Sequence, residues 1–149
     1  MKTVKFSDVA TVSVRDVQSG DVAVNRNGKK FFVVSKDDAE KFSQKPSGIY
    51  VFIRPVKVSV NELMSLLPGI LAVIPYRGRN ISLFSVDSLK NILLPDLSAE
   101  KEFKDTLLGI KSKIDEAGAL LAEAQQNYDT AYKDFVSYVK ANLVTANKE

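Results

Sequence analysis

Residues 98–144 read SAEKEFKDTLLGIKSKIDEAGALLAEAQQNYDTAYKDFVSYVKANLV, and this stretch decides the architecture. It contains no proline. Phe103, Leu107, Ile110, Ile114, Ala117, Leu121, Ala124, Tyr128, Ala131, Phe135 and Tyr138 follow one another at alternating steps of four and three. That spacing is a heptad seam sustained over about five heptads. Leu107, Ile114, Leu121, Tyr128 and Phe135 take position a, and the remaining six take position d. Ser98 is read as the N-cap of a helix starting near Ala99. Glu100 and Glu102 then fall in the first turn, where negative charge is favourable. A helix from there to about Val144 is on the order of 70 Å long at ~1.5 Å per residue.

A compact domain built from the residues before this helix would be only roughly 25 Å across. The seam is therefore expected to need a partner helix. The alternative is a hairpin within one chain, broken at Gly109 or Gly118. Glycine inside a helix costs about 1 kcal/mol against alanine without stopping it, and the heptad phase runs through both glycines. An intermolecular seam is the preferred reading. The flanking positions, among them Lys104, Lys111, Lys113, Leu120, Gln125, Asn127 and Tyr132, lack the alternating Glu/Lys code of a dimeric zipper. Leu120, Tyr132 and Val139 widen the apolar stripe, which suits trimers or bundles more than a two-stranded zipper.

Residues 1–95 read differently, as short strands between turn signals, and are expected to form a β-rich globular domain. Residues 96–149 are the helical assembly segment. Val12 and Val14 alternate with polar neighbours. Asp21–Arg26 and Lys29–Ser35 flank Asn27-Gly28, the signature of a hairpin with a type I′ turn. Lys36 to Ser47 reads as a loop with one helical turn around Asp38–Phe42. Ile49–Ile53 is a run of β-branched and aromatic residues suited to a buried central strand. Ser59-Val60-Asn61-Glu62 has capping-box spacing, which predicts a helix over Val60–Leu67 stopped by Pro68-Gly69. Ile70–Pro75 and Ile81–Ser85 are expected to form a second hairpin around Tyr76-Arg77-Gly78-Arg79-Asn80. A second short helix is placed at Val86–Leu93. The fold class is α+β: a small mixed or barrel-like β domain with two short helices, then one long helix.

Gly20-Asp21-Val22-Ala23-Val24 and Asn27-Gly28-Lys29-Lys30-Phe31-Phe32-Val33-Val34 resemble the first hairpin of SH3-like small barrels of the KOW or Tudor type, over roughly residues 9–56. The resemblance implies binding of nucleic acid, peptides or neighbouring subunits. The aromatic cage of methyl-lysine readers has no counterpart in this sequence.

Composition narrows the chemistry. The 149 residues include no Cys and no His. Thiol nucleophiles, disulfides, the commonest general base and most transition-metal sites are thereby removed. No phosphate-binding loop, dinucleotide fingerprint or calcium loop is present. Asp37, Asp38 and Glu40 read as acids of an exposed loop rather than a cation site, and no Ser/Lys spacing recommends a catalytic dyad. We expect no enzyme activity, no cofactor, no metal and no small-molecule substrate. Met1–Ala10 lacks the apolar core of a signal peptide, and no apolar run approaches the ~20 residues that span a bilayer. The expectation is a cytoplasmic protein, or one in a particle assembled there, without membrane contact.

Charge is uneven. Residues 1–95 carry 14 basic and 8 acidic side chains, and residues 96–149 carry 7 and 10. Arg26, Lys29 and Lys30 surround one turn, and Arg77 and Arg79 flank another. Two basic tips on one face could contact phosphates, with Phe31 and Tyr76 stacking on bases. The expected function is therefore a structural or adaptor protein. Its C-terminal helix oligomerises or docks into a larger assembly such as a virion or secretion machine. The alternative is an oligomeric nucleic-acid-binding protein using the basic tips.

Overall fold

The computed structural model describes the backbone of residues 1–148 and side chains up to Leu143. Its class is α+β, as the two halves of the sequence imply. The sheet is organised by Tyr50–Pro55 (β5), whose apolar run buries Val51, Phe52 and Ile53. It pairs antiparallel on one side with Ala10–Ser13 (β2) and on the other with Val22–Asn25 (β3). Phe31–Val33 (β4) then adds to β3, giving the order β2-β5-β3-β4. Thr3–Lys5 (β1) and Leu93–Pro95 (β6) form a separate two-stranded sheet.

Strand alternation gives the four-stranded sheet two apolar faces. Val22, Val24, Val51 and Ile53 point to the main core. Ala23, Phe32, Tyr50 and Phe52 point the other way, into a smaller cluster. The smaller cluster is covered by Lys36–Gln44 (α2), which lays Phe42 5.0 Å from the Phe52 ring, edge-on. The sequence predicts a loop with one helical turn for this segment. Ser35 accepts a hydrogen bond from the Asp38 amide and starts a full nine-residue helix instead. Its apolar residues, Ala39 and Phe42, are too sparse to announce a helix, but at a spacing of three they share one face.

The main core is closed by Val60–Val73 (α3), with Leu63, Leu66, Leu67, Ile70 and Leu71 buried. Its capping box forms as expected: Ser59 Oγ accepts from the Glu62 amide at 3.0 Å, and the Glu62 carboxylate accepts from the Ser59 amide at 2.8 Å. Pro68 does not stop this helix, contrary to the sequence reading. An internal proline costs about 3 kcal/mol. Burying Ile70, Leu71 and Ile74 returns roughly 1.5–3 kcal/mol each, so continuation wins. Pro68 itself lies on the exposed side.

The same continuation removes the expected hairpin of Ile70–Pro75 with Ile81–Ser85. Ile70–Val73 is helical, and what remains is one isolated bridge, Arg77 to Leu83, with reciprocal backbone hydrogen bonds of 2.9 and 3.0 Å. The second short helix is Val86–Asn91 (α4), capped by Ser85. It ends earlier than expected because Leu93–Pro95 turns extended to pair with β1. Phe6–Val9 (α1), a four-residue turn that buries Phe6, went unread in the sequence.

The β3–β4 connection is a hairpin, but not a type I′ turn. Gly28 alone has positive φ, at 77°, and Asn27 does not. The Gly28 amide closes the turn on the Asn25 carbonyl at 2.9 Å, and Asn25 Oδ1 accepts from the Asn27 amide.

Lys101–Lys148 (α5) is one 48-residue helix that continues through both Gly109 and Gly118. Ser98 does not cap it. The Ser98 hydroxyl donates to Asp96 at 2.6 Å, and the Ala99 and Glu100 amides bond to the Asp96 carbonyl in a turn that precedes the helix. The hydrogen bond from Ser98 holds the Asp96 carboxyl below its ordinary range. The chain divides into two compact units, Met1–Leu108 and Gly109–Glu149.

Candidate functional site

Two features distinguish themselves: the apolar seam of α5 and the basic loops of the first unit. The seam has two parts. Phe103 and Leu107 are half-buried and pack against the main core. Lys104, between them, reaches Glu62 on α3 at 3.5 Å. The beginning of the seam is thus consumed within the chain.

From Ile110 onward the large seam residues lie open. Leu121 is 74% exposed, Phe135 64% and Ile114 61%, values ordinary for lysine rather than for leucine or phenylalanine. Ile110, Tyr128 and Tyr138 are equally open, and Ala117, Ala124 and Ala131 are exposed between them. Leu120, Tyr132, Val136, Val139 and Leu143 add exposed apolar surface beside the seam. Tyr128 and Tyr132 stack on one another at 6.3 Å, one turn apart. Two residues flanking the seam make local pairs away from it, Lys111 with Asp115 at 2.6 Å and Gln125 with Asp129 at 3.0 Å. The apolar residues of the seam stay open beside these pairs.

The basic residues are brought together, but they do different things. Arg26 faces inward. Its Nε donates to the Phe84 carbonyl at 2.9 Å and one terminal nitrogen to the Gly48 carbonyl at 3.4 Å. The Phe84 amide returns a hydrogen bond to the Arg26 carbonyl. Arg26 thus fastens three segments together. Lys30 lies 5.4 Å over the Phe32 ring. Lys29, Arg77 and Arg79 are exposed.

The Gly28 turn abuts Tyr76 so closely that a Cβ on Gly28 would lie 2.8 Å from the tyrosine Cζ. This contact sets the two basic loops side by side, with a shallow depression lined by Asn27, Lys29, Tyr76 and Asn80. Tyr76 is not free to stack on a base. Its hydroxyl donates to the Leu71 carbonyl at 2.6 Å, its ring meets Phe84 edge-on, and burial raises its pKa. Phe31 packs against the main core.

Asp37 and Asp38 sit in the first turn of α2, and among the described residues no group of three acids could hold a metal ion. No described helix is long and apolar enough to cross a membrane. Sequence reasoning missed the most buried charge among the described residues. Asp21, 3% exposed, accepts two hydrogen bonds from Arg54 and one from the Gln18 amide. Its place at the head of the expected strand Asp21–Arg26 discloses no partner, and nothing local points to an arginine 33 positions away.

No protein-family model matches the chain, and a comparison with curated proteins finds no match.

Proposed function

We propose that this chain is a non-enzymatic structural or adaptor protein that assembles through the seam of α5 between Ile110 and Tyr138. The observation that carries the proposal is the change along one helix. Phe103 and Leu107 are packed on the core, whereas every large seam residue from Ile110 onward is exposed. Contiguous apolar surface of this kind marks an interaction site in a soluble protein. The role of the first unit is to anchor the start of the helix, through Phe103, Leu107 and Lys104.

Light scattering on the purified chain at low and high salt tests the proposal. A discrete oligomer in both conditions, converted to a monomer by Leu121→Asp, is the expected result. A 16.4 kDa monomer at every concentration and salt would remove self-association.

The second reading, nucleic-acid binding, draws on the contact between Gly28 and Tyr76, which places exposed Lys29, Arg77 and Arg79 in neighbouring loops. Such binding would fall steeply with salt through counterion release. Assembly through an apolar seam would not. Unchanged nucleic-acid affinity on replacing Lys29, Arg77 and Arg79 together would dismiss it.

A further inference from the structure

Resting on that assembly reading, we infer that the seam is covered by a second copy of this chain, lying antiparallel, with the two-fold axis between Ala122 and Glu123. The argument begins with side-chain size. From Ile114 to Phe135, position a holds only large residues: Ile114, Leu121, Tyr128 and Phe135. Position d holds only alanine over the same stretch: Ala117, Ala124 and Ala131.

In parallel pairing, a meets a and d meets d. Tyr128 would stack on Tyr128 and Phe135 on Phe135, with three Ala–Ala layers between the large ones. Crowded and hollow layers would alternate along one pair of straight helices, which close packing does not tolerate. In antiparallel pairing, a meets d. Large side chains then face small ones in the central layers, the interdigitation that fills a core.

The register follows from what is already occupied. Phe103 and Leu107 are packed on the core, so the free seam starts at Ile110. With the axis between residues 122 and 123, Leu121 faces Ala124 of the second copy. Tyr128 then faces Ala117, Ile114 faces Ala131, and Phe135 faces Ile110. The layers from Ile110 to Phe135 are matched in pairs across the axis, as an isologous contact requires. Tyr138 falls beyond the last layer.

Charge agrees with this register. Lys113 and Asp134 both flank the seam at position g, and antiparallel pairing sets g against g. Lys113 of each copy meets Asp134 of the other, twice per dimer. Parallel pairing would set Lys113 opposite Gly118 and Asp134 opposite Val139. Sliding the antiparallel pair by one heptad would put Leu120 against Asp134 instead.

Because the chain has no cysteine, introduced thiols are unambiguous. Ile114→Cys and Ala131→Cys are made as separate single variants. The expected result is no disulfide dimer from either alone, and efficient disulfide formation when the two are mixed before oxidation. Disulfides from each variant alone, with the parent dimeric by light scattering, would show parallel pairing. That would overturn this inference while leaving assembly intact. A parent of trimer mass would do the same. A monomeric parent would overturn both.

A charge exchange gives a second, non-covalent readout. Asp134→Lys should raise the dimer dissociation constant about tenfold, by losing two rim ion pairs and adding repulsion. Adding Lys113→Asp should restore it to within about threefold. A dimer indifferent to both changes would overturn the register.

Discussion

Arg54 holds the buried carboxylate of Asp21 with two parallel hydrogen bonds, Nε to Oδ1 at 3.0 Å and Nη2 to Oδ2 at 2.9 Å. This fork ties the central strand to the turn that begins β3, and its remaining arm reaches Asp16 at 3.3 Å. Bidentate arginine–carboxylate geometry is among the stronger polar contacts available. The hydrogen bond to Asp21 pushes the arginine pKa above its ordinary value. Truncating one partner of such a pair costs more than the pair is worth, because the other charge stays buried. Arg54→Met is therefore expected to destabilise the chain by about 2 kcal/mol, the arginine being partly solvated. Urea denaturation read by circular dichroism measures this. Asp21→Asn/Arg54→Met, which leaves no buried charge, should recover part of the loss.

Phe103 and Phe135 belong to one heptad pattern yet are expected to behave oppositely. Phe103→Ala removes a side chain packed on the main core and should lower the stability of the first unit by about 1–3 kcal/mol. Phe135→Ala removes an exposed ring and should leave that stability unchanged while weakening assembly. Thermal melting at low protein concentration, paired with light scattering at high concentration, separates the two effects.

Glu62 makes the stability of α3 dependent on acid. Burial pushes its carboxyl up, but hydrogen bonds from Ser59 and the charge of Lys104 together outweigh this, and the net pKa lies below the ordinary glutamate value. A carboxyl whose folded pKa is depressed contributes stability that is fully present above its unfolded pKa, near about 4.3 for glutamate. That contribution is lost as pH falls through the folded-state value. Glu62→Gln should thus be less stable than the parent at pH 7 by roughly 0.5–1 kcal/mol, the usual scale of a cap contact. The difference should close as the pH is lowered below about 4. A difference that stayed constant across this range would show that Glu62 acts by shape alone.

Gly28 is required twice, by its φ of 77° and by the nearness of Tyr76. Gly28→Ala should cost about 1–3 kcal/mol from backbone strain and displacement of the Tyr76 ring. In a Tyr76→Ala background the same change should cost less, because only the backbone part remains. A double-mutant cycle measured by denaturation gives the coupling directly, and additive costs would show that the two loops do not press on each other.

The parts of this fold legible in the sequence are those set by neighbours a few residues apart. The capping box at Ser59 and Glu62, the unbroken heptad phase from Phe103 to Tyr138 and the β-branched run at Ile49–Ile53 all depend on contacts within one element. Such signals survive without knowledge of the rest of the chain. The helix at Lys36–Gln44 was illegible because its two apolar residues acquire meaning only against Phe32, Tyr50 and Phe52. Arg26 looked like a ligand for phosphate because nothing in the sequence discloses the Phe84 and Gly48 carbonyls it meets.

The sequence by itself determined that there is one long helix, that its apolar residues share a face, and that the region before it is rich in strands. Period and capping are properties of local backbone geometry, so they can be read along a line. Only the tertiary structure decided that β5 lies between β2 and β3, that α3 runs through Pro68, and that Phe103 and Leu107 are already spent on the core. Each of these is a contest between a local preference and burial against residues distant in the chain. Its outcome depends on the apolar surface that the folded partners remove from water.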